Sequence, residues 1–294
     1  MKEYWKLGIF FRGVLMGLAE IIPGISGGTV ALVTGIYLRL VSALASFGAG
    51  SIGLLRFPKK FYLEHDLGFL LILFLGMAFG VFSFSNLMSF LLIHYGPIVW
   101  GMFSGLIVGS VYLIAKARDV KNILKYGLAG FLLGLSFLYL PQGALEFNYL
   151  IFFCVSMLAV CAWILPGVSG SFVMLIFGYY QTVLDAIANI QINVLVVLLL
   201  GLISGLMAFT KTLRWALSTY EDQIFSCLAG LMLGSVAKLW PWQILTDEGR
   251  LEMVSPQAFA QAAGHSSFEL LTLLFFLMGL LLIWLSTGIK SHQD

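Results

Sequence analysis

The sequence predicts an all-α polytopic membrane protein made of two inverted repeats of five hydrophobic segments each. Three observations carry that reading. First, the 294 residues are 60% hydrophobic and only 10% charged, with a mean hydropathy of +0.99; a soluble domain carries about 25% charged residues. Second, apolar runs of spanning or near-spanning length recur at about 7–22, 28–47, 67–93, 98–115, 123–140, 148–165, 171–190, 193–215, 224–240 and 268–288. Third, two short breaks between these runs share the frame I-x-P-G-x-S-G: "EIIPGISGGTV" at 20–30 and "WILPGVSGSFV" at 163–173.

The first segment begins near the N-terminus. "MKEYWKLGIFFRG" makes a poor signal peptide, because Arg12 interrupts its apolar run after a few residues. It reads instead as the start of a membrane segment. A net charge of +2 and a pI near 8.4 give no reason to expect a nucleic-acid partner. Cys154, Cys161 and Cys227 all lie in apolar runs without metal or disulfide spacing. They read as small buried hydrophobes, and no cofactor is expected.

The two breaks are parts of a longer repeat. Aligned on Pro23 and Pro166, residues 19–45 and 162–188 agree at 12 of 27 positions. The shared frame is A-x-I-x-P-G-x-S-G, an apolar run of equal length, then G-x-Y ("GIY" at 35–37, "GYY" at 178–180). A second echo pairs "GLIVGSV" at 105–111 with "GLMLGSV" at 230–236. The chain therefore divides into a first repeat at 1–142 and a second at 143–294, together one transmembrane domain. Internal repeats of this kind are a sequence mark of transporter folds.

Charge orients the segments. With Lys2, Lys6 and Arg12 placed in the cytoplasm, the basic groups Arg56, Lys59 and Lys60, then Lys116, Arg118, Lys121 and Lys125, then Lys211, Arg214 and Lys290, all fall on the same side. The opposite side receives "HYGP", "PQGALEFN", "QIN" and the 241–267 loop, where Asp247, Glu248 and Glu252 face one Arg250. This positive-inside pattern puts both termini in the cytoplasm. Five segments per repeat is an odd number, so the second repeat must enter the membrane inverted.

Broken backbone at membrane depth survives only inside protein or beside water. Pro23 and Pro166 end the helices before them. Ser26 and Ser169 are expected to N-cap the helices that follow. Each motif then offers amides at a helix start, a place for an anionic oxygen, with phosphate the best fit. The candidate phosphate-binding residues are Ser26, Gly27, Gly28, Thr29, Ser169, Gly170 and Ser171. The segment pairs either cross fully or form re-entrant hairpins whose tips meet near the midplane; hairpins are the favoured reading.

Among ionisable residues, Glu20 stands within one turn of the first motif. A carboxylate at that depth is costly unless it is protonated, paired or wet, which makes it a candidate proton carrier. Trp163 occupies the matching place in the second motif, so the site is asymmetric. Arg12 and Arg39 lie roughly 16–18 Å from the first tip at the helical rise. They are headgroup-contact candidates that also read as snorkelling anchors. Lys238, near Trp240 and Trp242, reads as an interface anchor or as an outer phosphate catcher. The stretch "GLLRFPKKFYLEHD" at 53–66 mixes basic and aromatic residues and reads as a surface-lying segment on anionic lipid.

The paired P-G-[IV]-S-G motifs, the G-x-Y that follows each and the later G-L-x-x-G-S resemble the bacterial polyprenyl-phosphate translocases, a PopT-like family formerly known as a domain of unknown function. The resemblance covers nearly the whole chain. It implies a carrier that returns undecaprenyl phosphate from the outer to the inner leaflet of the cytoplasmic membrane, for reuse in peptidoglycan and other envelope glycans. It implies undecaprenyl phosphate or a related polyprenyl phosphate and membrane lipids as partners, and it is compatible with a homo-oligomer. It marks Glu20, Ser26, Gly27, Gly28, Thr29, Ser169, Gly170 and Ser171 as motif positions without assigning any of them a catalytic role. The residues alone argue for an anion in an inverted-repeat carrier.

Other classes fit less well. G-x-S-G is also the rhomboid protease nucleophile motif, but such a protease needs a histidine in another membrane helix. His65, His94, His265 and His292 fall in loops, at segment ends or in the tail. A lipid-phosphate phosphatase would need a nucleophile with an acid–base partner and clustered arginines, which the chain lacks. A small-anion channel or transporter is the main alternative, ahead of a scaffold without transport. The chain is therefore not expected to be an enzyme.

Overall fold

The computed structural model describes residues 2–21, 26–48, 50–54, 56–136, 146–245, 251–264 and 266–290, and these are mostly helical. Helix α1 (Lys2–Ile21) runs into the first break. Residues 22–25, Pro23 among them, lie outside the described residues. Helices α2 (Gly27–Val33) and α3 (Tyr37–Ala45) follow, then the short α4 (Ser51–Leu54) and α5 (Pro58–Glu64). The long α6 (Leu67–Lys116) comes next, and α7 (Val120–Asn122) passes through a π-helical turn at Ile123–Gly127 into α8 (Leu128–Ser136). After residues 137–145, outside the described set, come α9 (Tyr149–Ile164), α10 (Gly170–Ile176), α11 (Tyr180–Ala188) and α12 (Ile192–Thr219). The chain ends with α13 (Glu221–Ser235) and its 3-10 turn Val236–Leu239, the strands β1 (Gln243–Leu245) and β2 (Leu251–Met253), α14 (Pro256–Ala263) and α15 (Glu269–Lys290).

Among the described residues, α6 and α12 are each long and apolar enough to cross a membrane, and α10 with α11 passes the same test as a pair bent by 108°. Large apolar side chains stand fully exposed along these helices, Phe82 and Ile93 among them. Only lipid makes such a surface tolerable. Cys154 also faces outward, and Cys161 and Cys227 are half-buried, which corrects the expectation of three buried thiols.

The loop expected at "HYGP" is a bend inside a continuous helix instead. Tyr95 leaves the helical range at φ −134°, ψ 27°, two residues before Pro97. Pro97 has no N–H to donate and its ring crowds the carbonyl four residues back, so α6 kinks there. The 241–267 loop is more ordered than its polarity suggested. It holds the antiparallel pair β1–β2, with Ile244 opposite Glu252, and α14 behind it. The Ser255 hydroxyl accepts from the Ala258 amide, with Pro256 in the first turn. That Ser-Pro pair is a start signal legible in the sequence.

Four helix pairs form the frame, and each is built on glycines. A methyl at Gly13 or Gly17 of α1 would run into the Leu73 and Met77 carbonyls of α6, and one at Gly76 into the Phe10 carbonyl. Gly201 and Gly205 of α12 lie as closely on Phe153 and Met157 of α9. Gly101 and Gly105 of α6 meet Thr272 and Phe276 of α15, while Gly130 of α8 and Gly230 of α13 touch Cys227 and Gly127. Lipid supplies no hydrophobic drive between helices, so close backbone contact through small residues at four-residue spacing takes its place. The "GLIVGSV" and "GLMLGSV" echo thus marks packing faces.

Polar ties close the side that carries the basic loops. Arg39 pairs with Asp66 at 2.6 Å and lies over the Phe69 ring. The Arg118 guanidinium reaches Glu221 and Asp222, and the Asn122 amide also donates to Asp222. That amide first, then the Asp119 N–H and Arg118, hold the Asp222 carboxyl below its usual range.

Candidate functional site

The two broken segments have the same local build. Helices α2 and α10 are seven residues each, and α3 and α11 nine each. Between them stands a glycine of the G-x-Y element, Gly35 at φ 75° and Gly178 at φ 77°. The Gly35 amide donates to the Leu32 carbonyl and the Ile36 amide to Ala31; the Gly178 and Tyr179 amides donate to Leu175 and Met174 in the same pattern. This is a Schellman ending, which needs a left-handed residue where only glycine is free of a side-chain penalty. Ile36 and Tyr179, the residues after each glycine, are buried, as that motif favours.

The starts of α2 and α10 differ from expectation. Ser26 and Ser169 stand at the N-cap positions with extended backbone, yet neither hydroxyl caps its helix. Glu20, from the last turn of α1, takes over at α2: its Oε1 accepts from the Gly27 amide at 2.7 Å. The Ser26 hydroxyl is released to the other motif, 3.5 Å from the Trp163 carbonyl and 3.4 Å from that of Leu165. The Ser169 hydroxyl instead pairs with Ser171 at 2.7 Å. A carboxylate is a strong acceptor for a helix-start amide, and Glu20 serves the first amide of α2, whereas a capping serine would accept from the second or third.

The same Glu20 oxygen receives a second donor, the indole N–H of Trp163 at 2.8 Å. The Gly167 amide donates to the Thr29 hydroxyl at 3.0 Å. Ser26, Gly27, Gly28 and Thr29 are all buried, and a methyl on Gly28 would come 2.5 Å from the Ile164 carbonyl. The motifs therefore touch directly. Glycine and serine make that contact possible, because their small side chains let one backbone reach the other's carbonyls.

The structure brings Glu20, Ser26, Gly27, Gly28 and Thr29 against the second motif. Ser169, Gly170 and Ser171 open α10 beside it, and a methyl on Gly170 would meet the Ala159 carbonyl of α9 at 2.6 Å. Lys238 joins this second group: its ammonium lies 3.1 Å from the centre of the Phe172 ring, a cation–π placement. Arg12 is half-buried two turns before Glu20 and makes no ion pair among the described residues. Arg39 is held by Asp66, away from the junction. Trp163 was not singled out as a site residue in the sequence, although its alignment with Glu20 was the available signal.

A helical chain with lipid-facing apolar surface, whose two broken segments meet in a polar junction between packed helices, has the build of the membrane carriers. Comparison with known proteins narrows the class. The family model described as undecaprenyl phosphate translocase-like matches residues 16–255, and the chain belongs to that family. A polyprenyl-phosphate transporter of Vibrio cholerae serotype O1 is 35% identical over 244 residues, covering 81% of this chain and 78% of the relative. A polyprenyl-phosphate transporter of Staphylococcus aureus is 28% identical over 262 residues, covering 82% and 88%. No solved structure matches.

Proposed function

We propose that this chain transports undecaprenyl phosphate, or a related polyprenyl phosphate, from the outer to the inner leaflet of the bacterial cytoplasmic membrane, returning the carrier lipid for envelope synthesis. Membership of the translocase-like family and the names of the two relatives support the substrate class. The observation that carries the mechanism is the meeting of the two broken segments at Glu20, Ser26, Thr29, Trp163 and Gly167. Residues 1–142 and 143–294 act as inverted repeats, with α2–α3 and α10–α11 as re-entrant hairpins. The equal helix lengths and the two matching Schellman endings favour that reading. Both termini lie in the cytoplasm.

The phosphate binds where the motifs meet. Ser26, Gly27, Gly28 and Thr29 supply donors from one side, Ser169, Gly170 and Ser171 from the other, with Lys238 beside the second group. The Gly27 amide already holds one anion, the Glu20 carboxylate. A lipid phosphate takes its place there, and the displaced carboxylate takes up a proton, which removes the repulsion between two negative groups. The apolar flanks of the helices leave the polyprenyl tail in lipid while the headgroup crosses. Arg12 stays available for the headgroup at the cytoplasmic end, whereas Arg39 is engaged with Asp66. Purified protein in proteoliposomes should take up labelled undecaprenyl phosphate and leave labelled inorganic phosphate outside. Uptake of inorganic phosphate alone would favour a small-anion pathway instead.

A further inference from the structure

Glu20 and Trp163 stand at the same position of the two aligned motifs, 143 residues apart. If the repeats are related by a two-fold axis, equivalent residues that meet must face each other across it. Two glutamates there would repel, and two tryptophans would offer two donors and no acceptor. One of each makes a complementary pair, and that is what this chain carries. Trp163 is bound at both ends: its indole N–H donates to Glu20 Oε1, and its carbonyl lies within reach of the Ser26 hydroxyl. The Gly27 amide donates to the same Glu20 oxygen. One oxygen therefore carries both bonds.

We propose that Trp163 is the positioning residue for Glu20, holding its carboxylate by one oxygen at the junction of the motifs. This rests on the transport reading above and adds a specific residue to it. The Trp163→Phe variant keeps an aromatic six-membered ring and removes the N–H donor together with the five-membered ring that carries it. Uptake of labelled undecaprenyl phosphate by proteoliposomes should fall on the order of tenfold, the scale of one hydrogen bond to a charged group. In a Glu20→Ala background the same change should cost less than about twofold, because a residue acting through Glu20 has nothing left to position. Trp215→Phe, at an exposed site on α12, serves as the control and should leave uptake unchanged.

An independent readout is the indole N–H resonance of Trp163 in nitrogen-15 tryptophan-labelled protein. It is assigned as the signal missing from Trp163→Phe and should move in both Glu20→Gln and Glu20→Ala. A resonance indifferent to Glu20 overturns the pairing. A resonance that moves, with Trp163→Phe equally damaging in both backgrounds, overturns the positioning role. If the resonance moves but wild-type protein takes up no lipid phosphate, the transport reading fails while the pairing stands.

Discussion

Glu20 concentrates the chemistry at the scale of single residues. A charge at membrane depth costs a few kcal/mol on insertion scales, and two donors on one oxygen offset part of that cost. Glutamine keeps an acceptor oxygen for both donors but cannot exchange a proton. Glu20→Gln should therefore fold normally and lose the pH dependence of lipid-phosphate uptake; superimposable pH profiles for wild type and variant would make Glu20 structural. The motif glycines make a second prediction. A methyl on Gly28 would press on the Ile164 carbonyl, and one on Gly170 on that of Ala159. Gly28→Ala and Gly170→Val should each separate the segments, at a cost of about 1–3 kcal/mol, and abolish uptake with expression retained. Normal uptake in both would remove the site from the motifs. Glu20 was legible as a residue in need of partners because a carboxylate in an apolar segment is costly. Its partners were not, because Gly27 is close in sequence only through a break, and Trp163 is far along the chain.

The decisive element is the glycine-lined helix pair. Gly13 and Gly17 on α1 and Gly76 and Gly80 on α6 let two backbones approach without side chains between them. Gly76→Leu should force α1 away from α6 and leave little folded protein in the membrane, read as loss of the monodisperse peak in detergent. The polar tie at the start of α13 has a milder failure. Because the Asp222 carboxyl titrates below its usual value of 3.8, its hold on Asn122 and Arg118 is complete above that pH. The hold is lost as pH falls through the lower folded value. A spin label at Lys121→Cys should thus stay immobile from neutral pH to about 4 and loosen below it; mobility unchanged down to pH 2 would mean the segment is held by other contacts.

Across the whole molecule, residues 1–142 and 143–294 interlock. Helix α1 packs on the first part of α6, and α9 on α12, each inside its own repeat. The second part of α6 packs on α15, however, and α8 packs on α13, so each half of the chain packs on the other. Residues 1–142 expressed alone should be degraded, and co-expression with 143–294 should restore a complex that purifies together. Stable accumulation of either half alone would show that the exchange is dispensable. Inversion makes a further prediction. Cysteines at Glu252 and Lys121 should be labelled from opposite sides of the membrane, Glu252 from outside. Labelling of both from one side would end the inverted-repeat reading.

Composition and spacing alone determined the membrane class, the two broken segments, their repetition and the presence of a carboxylate, Glu20, beside the first break. These are local properties: apolar runs demand lipid, proline and glycine break helices wherever they fall, and a buried acid is conspicuous without neighbours. Pairing belonged to tertiary structure. Ser26 looked like a helix cap because its sequence context is that of a cap, yet packing turned its hydroxyl toward the carbonyls of Trp163 and Leu165 and brought the Glu20 carboxylate to the first amide of the helix. The "HYGP" stretch looked like a loop, and it is a kink at Tyr95 and Pro97 between the part of α6 that packs on α1 and the part that packs on α15. A chain can state which groups need partners, but only the folded arrangement of helices decides which partner lies within 3 Å.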